Sequence, residues 1–154
     1  MDNLEEFADA EAIIKEQWQS LQAIWPNKKL IIEGSAHIRC DENWLGEAFL
    51  NLLKNACEHT SDEGVIRVQL ERTEAAFFCV IEDNGGGVSP DELPKLFQRF
   101  YRAQHQNKNG AGIGLAIVKE IIQRHHGNIV AENGKHGLKM TISMPMLDRN
   151  LTNS

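Results

Sequence analysis

The chain has 154 residues, of which 42% are hydrophobic and 25% are charged. This composition suits one compact globular domain and excludes an intrinsically disordered chain. The 22 acidic and 16 basic residues give a formal net charge of -6, so we expect neither a nucleic acid nor an anionic membrane surface as a partner. A polyanionic ligand would need a locally built site with a metal ion.

Three cysteines, Cys40, Cys57 and Cys79, lie in apolar runs without the spacing of a metal site. This pattern predicts buried, reduced thiols in a cytoplasmic protein. No apolar stretch approaches the roughly 20 residues that cross a bilayer, and the acidic segment Met1–Glu6 lacks the basic start of a signal peptide. We expect that any segment sensing across a membrane belongs to a longer parent protein.

The first part of the chain predicts a helix, two short strands and a long helix. In chain order these are Leu4–Ile24, Leu30–Ile32, the segment around Ile38, and a helix from Asp41 to about Thr60. The first helix ends at Trp25, because a residue before proline avoids the α region. Asp41 is the predicted N-cap of the long helix.

The second part predicts antiparallel strands around a long irregular stretch. In chain order we expect strands Val65–Leu70 and Ala76–Ile81, the stretch Asp83–Asn109 with a short helical piece at Leu93–Phe97, a helix Gly112–His126, and a hairpin of Asn128–Glu132 and Leu138–Met144. A loop this long inside a small domain is usually functional. These elements predict the α+β class, with one mixed sheet covered on one face by helices.

A polar stripe follows the long helix at intervals of four residues: Glu47, Asn51, Asn55 and His59. Asparagine is a mediocre helix former, so two asparagines in mid-helix beside an apolar face call for a reason. A neutral amide oxygen can ligate Mg²⁺ and leave positions for phosphate oxygens and waters. The alternative is a pair of solvated surface amides.

Two glycine-rich clusters flank the long irregular stretch. The first, Asp83–Val88, contains three consecutive glycines, which favours positive φ angles or the close approach of a ligand, with a plain turn as the alternative. Asp83 can accept a hydrogen bond from an exocyclic amine such as that of adenine. The second cluster, Gly110–Leu115, opens a helix and would present free N–H groups to phosphates, although the strand of a dinucleotide fingerprint is missing before it.

Aromatic and basic residues lie between the two clusters. The run Leu96–Arg102 can anchor one end of a mobile segment and offer arginine charge to phosphates. The alternative is a small hydrophobic plug with solvated arginines. The polar segment Ala103–Asn109, with His105 and Lys108, is predicted to form a flexible lid.

In this order and spacing, four motifs resemble the asparagine, first glycine, phenylalanine and second glycine boxes of sensor histidine kinases. The motifs are Asn51–Ala56, Asp83–Gly87, Phe97–Arg102 and Gly110–Leu115. The resemblance covers about Asp41 to Pro145. It implies the histidine-kinase-type ATP-binding catalytic domain over residues 1–147 and a two-layer α/β sandwich whose mixed, mostly antiparallel sheet is backed by about three helices. The polar sequence after Pro145 predicts a flexible tail over residues 148–154.

The resemblance implies that the chain binds ATP and Mg²⁺. Asn55 would ligate the metal, Asn51 would lie near the phosphates and support that ligation, and these two would be the catalytic residues. Asp83 would accept a hydrogen bond from the adenine amino group. The other expected nucleotide contacts are His59, Gly85, Gly87, Val88, Phe100, Tyr101, Arg102, Lys108, Gly110, Ala111, Gly112, Ile113, Gly114 and Leu115.

One position separates the subclasses of this wider superfamily, which includes DNA gyrase, mismatch-repair and heat-shock chaperone ATPases. Gyrase-like members carry a glutamate general base where this chain has Asn51, and an amide lacks that basicity. We therefore expect a site that holds ATP and donates its γ-phosphoryl group. The alternatives are a gyrase-like ATPase, an anti-sigma-factor serine kinase, or a degenerate nucleotide-binding regulatory module without phosphotransfer.

Three features depart from the family pattern. Glu58 stands where a basic residue is common, and Leu138 stands where threonine is usual in a degraded third glycine box. Both put the nucleotide affinity in doubt. No histidine has the phosphoacceptor context, and His125 and His126 are typical of a helix terminus, where they would favour the negative end of the helix dipole.

The expected partners follow from the missing phosphoacceptor. The γ-phosphoryl group would pass to a histidine on a separate dimerisation and histidine-phosphotransfer domain of the same parent protein, with a response regulator downstream. We expect a monomeric fragment, a homodimeric parent in the bacterial cell membrane, and this domain in the cytoplasm.

Overall fold

The structure is a computed structural model, and it describes residues 6–99 and 114–146. The elements are β1 Phe7–Asp9, α1 Ala10–Gln22, β2 Lys29–Glu33, β3 His37–Arg39, α2 Glu42–His59, β4 Val65–Arg72, β5 Ala76–Asp83, a 3₁₀ helix Leu93–Lys95, α3 Gly114–Arg124, β6 Asn128–Asn133 and β7 Leu138–Pro145. Within these ranges no helix is long and apolar enough to span a membrane.

Five strands form one mixed sheet in the order β2-β4-β5-β7-β6. The pair β2–β4 is parallel, and the other three pairs are antiparallel. Side chains alternate across β4 and β5, so Val68 and Phe77 are buried while Gln69 and Phe78 are exposed. The predicted α+β class, with a mostly antiparallel sheet backed by three helices, is confirmed.

The core lies between the inner face of the sheet and the helices. Helix α2 packs between α1 and α3, and it buries Phe49 and Leu53 completely. Burying such a side chain contributes roughly 1.5–3 kcal/mol. Cys40, Cys57 and Cys79 are also buried, as predicted, and burial raises the pKa of the Cys57 thiol to about 11.

Both ends of α2 lie where the sequence predicted them, and a local signal sets its start. The Asp41 side chain accepts a hydrogen bond from the Trp44 N–H at 3.1 Å, which satisfies a donor that the first turn of a helix leaves unpaired. The last helical residue is His59, and Thr60 has an extended backbone. The polar stripe therefore lies on a continuous helix.

The predicted start of α1 is wrong. Phe7–Asp9 form β1, which pairs with β3 in a separate two-stranded ribbon. The Asp9 side chain accepts hydrogen bonds from the Glu11 and Ala12 N–H groups, so the helix begins at Ala10. The helical spacing of apolar residues happens to extend back to Phe7, but the capping residue Asp9 sets the N-terminal end of α1.

Two further differences concern single turns. The helical piece predicted at Leu93–Phe97 is a 3₁₀ helix over Leu93–Lys95. Helix α3 ends at Arg124, two residues earlier than predicted, because His126 adopts a positive φ of 63°. The predicted start of α3 at Gly112 lies outside the described residues.

Candidate functional site

Asn51 and Asn55 lie one turn apart on α2, and Asn51 lies beside the start of α3. The Asn51 Nδ2 group donates to the Glu47 carbonyl at 2.8 Å and to Glu47 Oε1 at 3.2 Å. Its Oδ1 lies 2.9 Å from the position that a Cβ atom on Gly114 would occupy. The contact brings together two predicted site residues that are far apart in sequence, and a side chain at position 114 would displace the Asn51 amide.

Asn55 lies one turn further along α2 and is 9% exposed. Its Nδ2 atom lies 3.3 Å from Nδ1 of His59, so the last turn of the polar stripe is held by side-chain contacts. Among the described residues no group of three histidine, cysteine, aspartate or glutamate side chains could hold a metal. An amide oxygen fits a hard cation that takes its remaining ligands from phosphates and water, so Asn55 fits Mg²⁺ bound together with a nucleotide.

Asp83 is the last residue of β5, and it is only 3% exposed. Its Oδ1 atom accepts hydrogen bonds from the Gly85 N–H at 2.9 Å and from the Leu138 N–H at 3.3 Å. Burial raises the pKa of this carboxyl group, and the bond from Gly85, the charge of His59 and the bond from Leu138 partly offset that shift. A carboxylate has a second oxygen that can accept from an amine.

The glycines after Asp83 allow the main chain to pack closely. A Cβ atom on Gly85 would lie 2.3 Å from the carbonyl oxygen of His59. Gly86 and Gly87 have φ angles of 86° and 81°, which glycine adopts at little cost. The sequence predicted positive φ angles or the close approach of a ligand for this cluster. The positive φ angles are confirmed at Gly86 and Gly87, and the close neighbour of Gly85 is the end of α2.

The remaining predicted contacts divide into two groups. Leu115 is described, and its side chain is buried in the core beside α2. Leu96 is buried and Phe97 packs against the core, which both interpretations of that run allow. The other expected contacts lie outside the described residues, namely Phe100, Tyr101, Arg102, Lys108, Gly110, Ala111, Gly112 and Ile113.

Sequence reasoning missed Lys28, which caps the C-terminal end of α2. This lysine is 5% exposed. Its Nζ atom donates to the Thr60 carbonyl at 2.8 Å, to Thr60 Oγ1 at 3.0 Å and to the Ser61 carbonyl at 2.6 Å. Lysine commonly bonds to helix C-terminal carbonyls, but Thr60 lies 32 residues later in the chain, so no local pattern pointed to it.

The turn between β6 and β7, residues 133–138, also contacts the glycine-rich loop. The Leu138 N–H reaches Asp83, and the Gly86 N–H donates to the His136 carbonyl at 3.2 Å. The degraded third glycine box therefore contacts the site through its main chain. Leucine at position 138 does not prevent this contact, because the donor is a backbone N–H.

A family model described as histidine kinase-, DNA gyrase B- and HSP90-like ATPase matches residues 40–148. Among curated proteins, the chain is 37% identical over 112 residues to the probable sensor kinase SilS of Salmonella typhimurium, and the alignment covers 71% of this chain. The chain spans only 22% of the length of SilS.

Solved structures agree with the family match. The mycobacterial sensor histidine kinase MprB has a TM-score of 0.84 and 26% identity, and the alignment covers 92% of this chain and 98% of that chain. The histidine kinase ThkA is similar in fold, with a TM-score of 0.74, 19% identity, and coverage of 92% of this chain and 42% of that chain. The protein belongs to the histidine kinase-, DNA gyrase B- and HSP90-like ATPase family, and its relatives within that family are sensor histidine kinases.

Proposed function

We propose that this chain binds Mg-ATP and donates the γ-phosphoryl group to a histidine on a separate dimerisation and phosphoacceptor domain. The observation that carries the proposal is the convergence of three elements. Asn51 lies against Gly114 of α3 at one end, and the carbonyl of His59 in the last turn of α2 lies against Gly85 in the loop after Asp83 at the other. A nucleotide lying along this side of α2 would have its base near Asp83 and its phosphates near Asn51.

The base end of the site selects an exocyclic amine. Two backbone N–H groups occupy Oδ1 of Asp83, and the second oxygen is the acceptor for the adenine amino group. Hydrogen bonds to a charged acceptor that is shielded from water are stronger than bonds between neutral groups. Gly85, Gly87 and Val88 contribute main chain beside the base.

The phosphate end relies on amides, a metal and a helix N-terminus. Asn55 would hold Mg²⁺, and the metal would supply positive charge to neutralise the phosphates. Asn51 supports that ligation, and His59 completes the polar stripe. The start of α3 at Gly114 and Leu115 offers main-chain N–H groups to the phosphates. We propose that Phe100, Tyr101, Arg102, Lys108, Gly110, Ala111, Gly112 and Ile113 complete this end.

The residue at position 51 argues against rapid hydrolysis of ATP. Asn51 occupies the position where a gyrase-like site would carry a general base, and an amide does not accept a proton from water at neutral pH. ATP would then persist until an acceptor histidine reaches it. Transfer by such a site depends on positioning and charge neutralisation.

The proposed role places this domain, residues 1–147 with a short tail, in a larger signalling protein. The fold neighbour ThkA was solved in complex with the response regulator protein TrrA, which supports a response regulator as the downstream partner. We propose a homodimeric parent in the bacterial membrane, with this domain on the cytoplasmic side.

Substitutions at the two ends of the site test the proposal. Asp83→Asn keeps the size of the side chain but turns an amide N–H₂ toward the adenine amine, and Asn55→Ala removes the metal ligand. We expect each to weaken binding of a non-hydrolysable Mg-ATP analogue by about 10-fold to 100-fold in calorimetric titrations, as for loss of a charge-assisted hydrogen bond.

A matched control lies on the same helix. Asn43 is exposed in the first turn of α2, so Asn43→Ala should bind the analogue as the wild type does. Circular dichroism should show that all variants are folded. Wild-type affinity in both Asp83→Asn and Asn55→Ala would overturn the assignment of the site.

A further inference from the structure

The side chain of Asn133, at the end of β6, is bonded in both directions to the main chain of Val88. Its Oδ1 accepts from the Val88 N–H at 2.9 Å, and its Nδ2 donates to the Val88 carbonyl at 2.7 Å. An amide side chain presents the same donor and acceptor as a peptide group. Asn133 therefore pairs with Val88 as a neighbouring strand would.

The pairing depends on glycine at position 87, because a side chain there would collide with Asn133. Gly87 has a φ of 81°, and a Cβ atom on it would lie 2.4 Å from Oδ1 of Asn133. On the other side, the partly buried Val88 side chain packs against the core. The chain at residues 87 and 88 is thus fixed by a hydrogen-bonded pair together with an apolar anchor.

The same turn also contacts the end of β5 and the glycine-rich loop. The His136 N–H donates to Oε2 of Glu82 at 2.9 Å, and the His136 carbonyl accepts from the Gly86 N–H. The Leu138 N–H donates to Asp83. Among these contacts, the pairing of Asn133 with Val88 lies furthest along the chain from Asp83. In the described part of the chain, the side-chain hydrogen bonds from the turn to the loop come from Asn133.

We infer that Asn133 is a positioning residue of the nucleotide site, a role that rests on the proposed function. By clamping Val88, it holds Gly85–Gly87 in the conformation that leaves the free oxygen of Asp83 facing the base. It also fixes the point from which the chain leaves the site toward the 3₁₀ helix. Asn133 touches no part of the nucleotide in this role and acts through the loop.

The chemistry of the clamp predicts which substitutions fail. A carboxylate in place of the Asn133 amide would set an oxygen against the Val88 carbonyl, so Asn133→Asp keeps the size of the side chain but replaces an attraction with a repulsion. Asn133→Leu also keeps the size and removes both bonds without adding charge. Asn128→Asp is the matched control, because Asn128 is exposed at the opposite end of β6.

The test is calorimetric titration of the full chain with a non-hydrolysable ATP analogue, with and without Mg²⁺. We expect Asn133→Asp and Asn133→Leu to weaken binding by roughly threefold to tenfold, as for one or two solvent-accessible hydrogen bonds. Because the clamp acts at the base end, the loss should be the same with and without Mg²⁺. Wild-type affinity in both Asn133 variants, or an equal loss in Asn128→Asp, would overturn the proposal.

Hydrogen exchange separates this inference from the proposed function. The Val88 N–H should exchange at least about tenfold faster in Asn133→Leu than in the wild type, because the bond that protects it is lost. If the wild type bound no adenine nucleotide, the proposed function and the positioning role would both fail, while Val88 exchange would still show whether the clamp forms. Unchanged exchange in Asn133→Leu would overturn the clamp itself.

Discussion

At the scale of single residues, His125 illustrates how a correct position can have an unexpected physical role. It follows the last turn of α3 and is 4% exposed. Its Nε2 atom accepts from the Asp41 N–H at 3.0 Å, so the ring proton lies on Nδ1, which is 2.8 Å from the Ile121 carbonyl. The sequence predicted a helix-terminal histidine that favours the helix dipole as a cation. The structure instead holds a neutral ring that joins α3 to the N-cap of α2.

This neutral ring predicts a pH dependence of stability. Burial lowers the pKa of His125 below its ordinary value of 6.5, so the unfolded chain binds a proton before the folded chain does. The stability from His125 is fully present above pH 6.5 and is lost as the pH falls through the folded pKa, by at most about 1.4 kcal/mol per pH unit. Urea unfolding from about pH 8 to pH 5 should show this decline.

His125→Gln is the comparison variant for this prediction. A glutamine amide can donate and accept but does not titrate in this range. We expect the free energy of unfolding of the variant to fall less steeply below pH 6.5 than that of the wild type, with the other histidines contributing equally to both. Parallel curves for the two proteins would contradict the role of His125.

Sequence patterns predicted the residue types of the site better than their contacts. Asn51, Asn55 and Asp83 were predicted as candidate site residues because each lies in a short motif with its own chemistry. The contact of Asn133 with Val88 joins residues 45 positions apart. No periodicity or capping signal reports a contact at that range, so Asn133 had no signal in the sequence.

At the scale of elements, both ends of α2 are fixed by hydrogen bonds to other groups. Asp41 caps the start, and Lys28 caps the end through three oxygen acceptors. The start was predictable because an N-cap is local in sequence. The capping lysine was not, since it comes from the loop before β2.

Lys28→Met tests this cap. The substitution keeps an unbranched side chain and removes every donor, which leaves the Thr60 and Ser61 carbonyls without their buried partner. We expect a loss of about 2–3 kcal/mol in the free energy of unfolding, measured by urea denaturation. Lys29→Met is the matched control, because Lys29 is exposed at the start of β2, and it should change stability by less than about 0.5 kcal/mol. An equal effect of the two substitutions would show that the three bonds of Lys28 contribute nothing.

At the scale of the whole molecule, the sequence predicted the class of the fold but not all of its strand pairing. The pairs β4–β5 and β6–β7 were predictable because each joins consecutive strands with alternating side chains. The parallel pairing of β2 with β4 and the ribbon of β1 with β3 join strands separated by other elements. A strand of three to five residues carries no local information on its partner, because pairing depends on the packing of the helices between them.

The assembled site also links folding to ligand binding. Its described residues come from α2, the end of β5, the start of α3 and the β6–β7 turn, so an unfolded chain has no site. A ligand that binds only the folded state stabilises it by about 2.7 kcal/mol at a concentration of about 100 times its dissociation constant. Mg-ATP should therefore raise the melting temperature in proportion to the logarithm of its concentration, and differential scanning calorimetry measures this shift.

A comparison of Mg-GTP with Mg-ATP tests recognition of the base separately from binding of the phosphates, because the two nucleotides differ only in the base. Guanine has a carbonyl oxygen where adenine has its amine, and that oxygen would face the carboxylate of Asp83. Two acceptors repel, so at equal concentration Mg-GTP should raise the melting temperature much less than Mg-ATP. Asp83→Asn offers an N–H₂ group instead and should reduce this difference by weakening the response to Mg-ATP. Equal stabilisation of the wild type by the two nucleotides would show that the phosphates are bound without the contact proposed for Asp83.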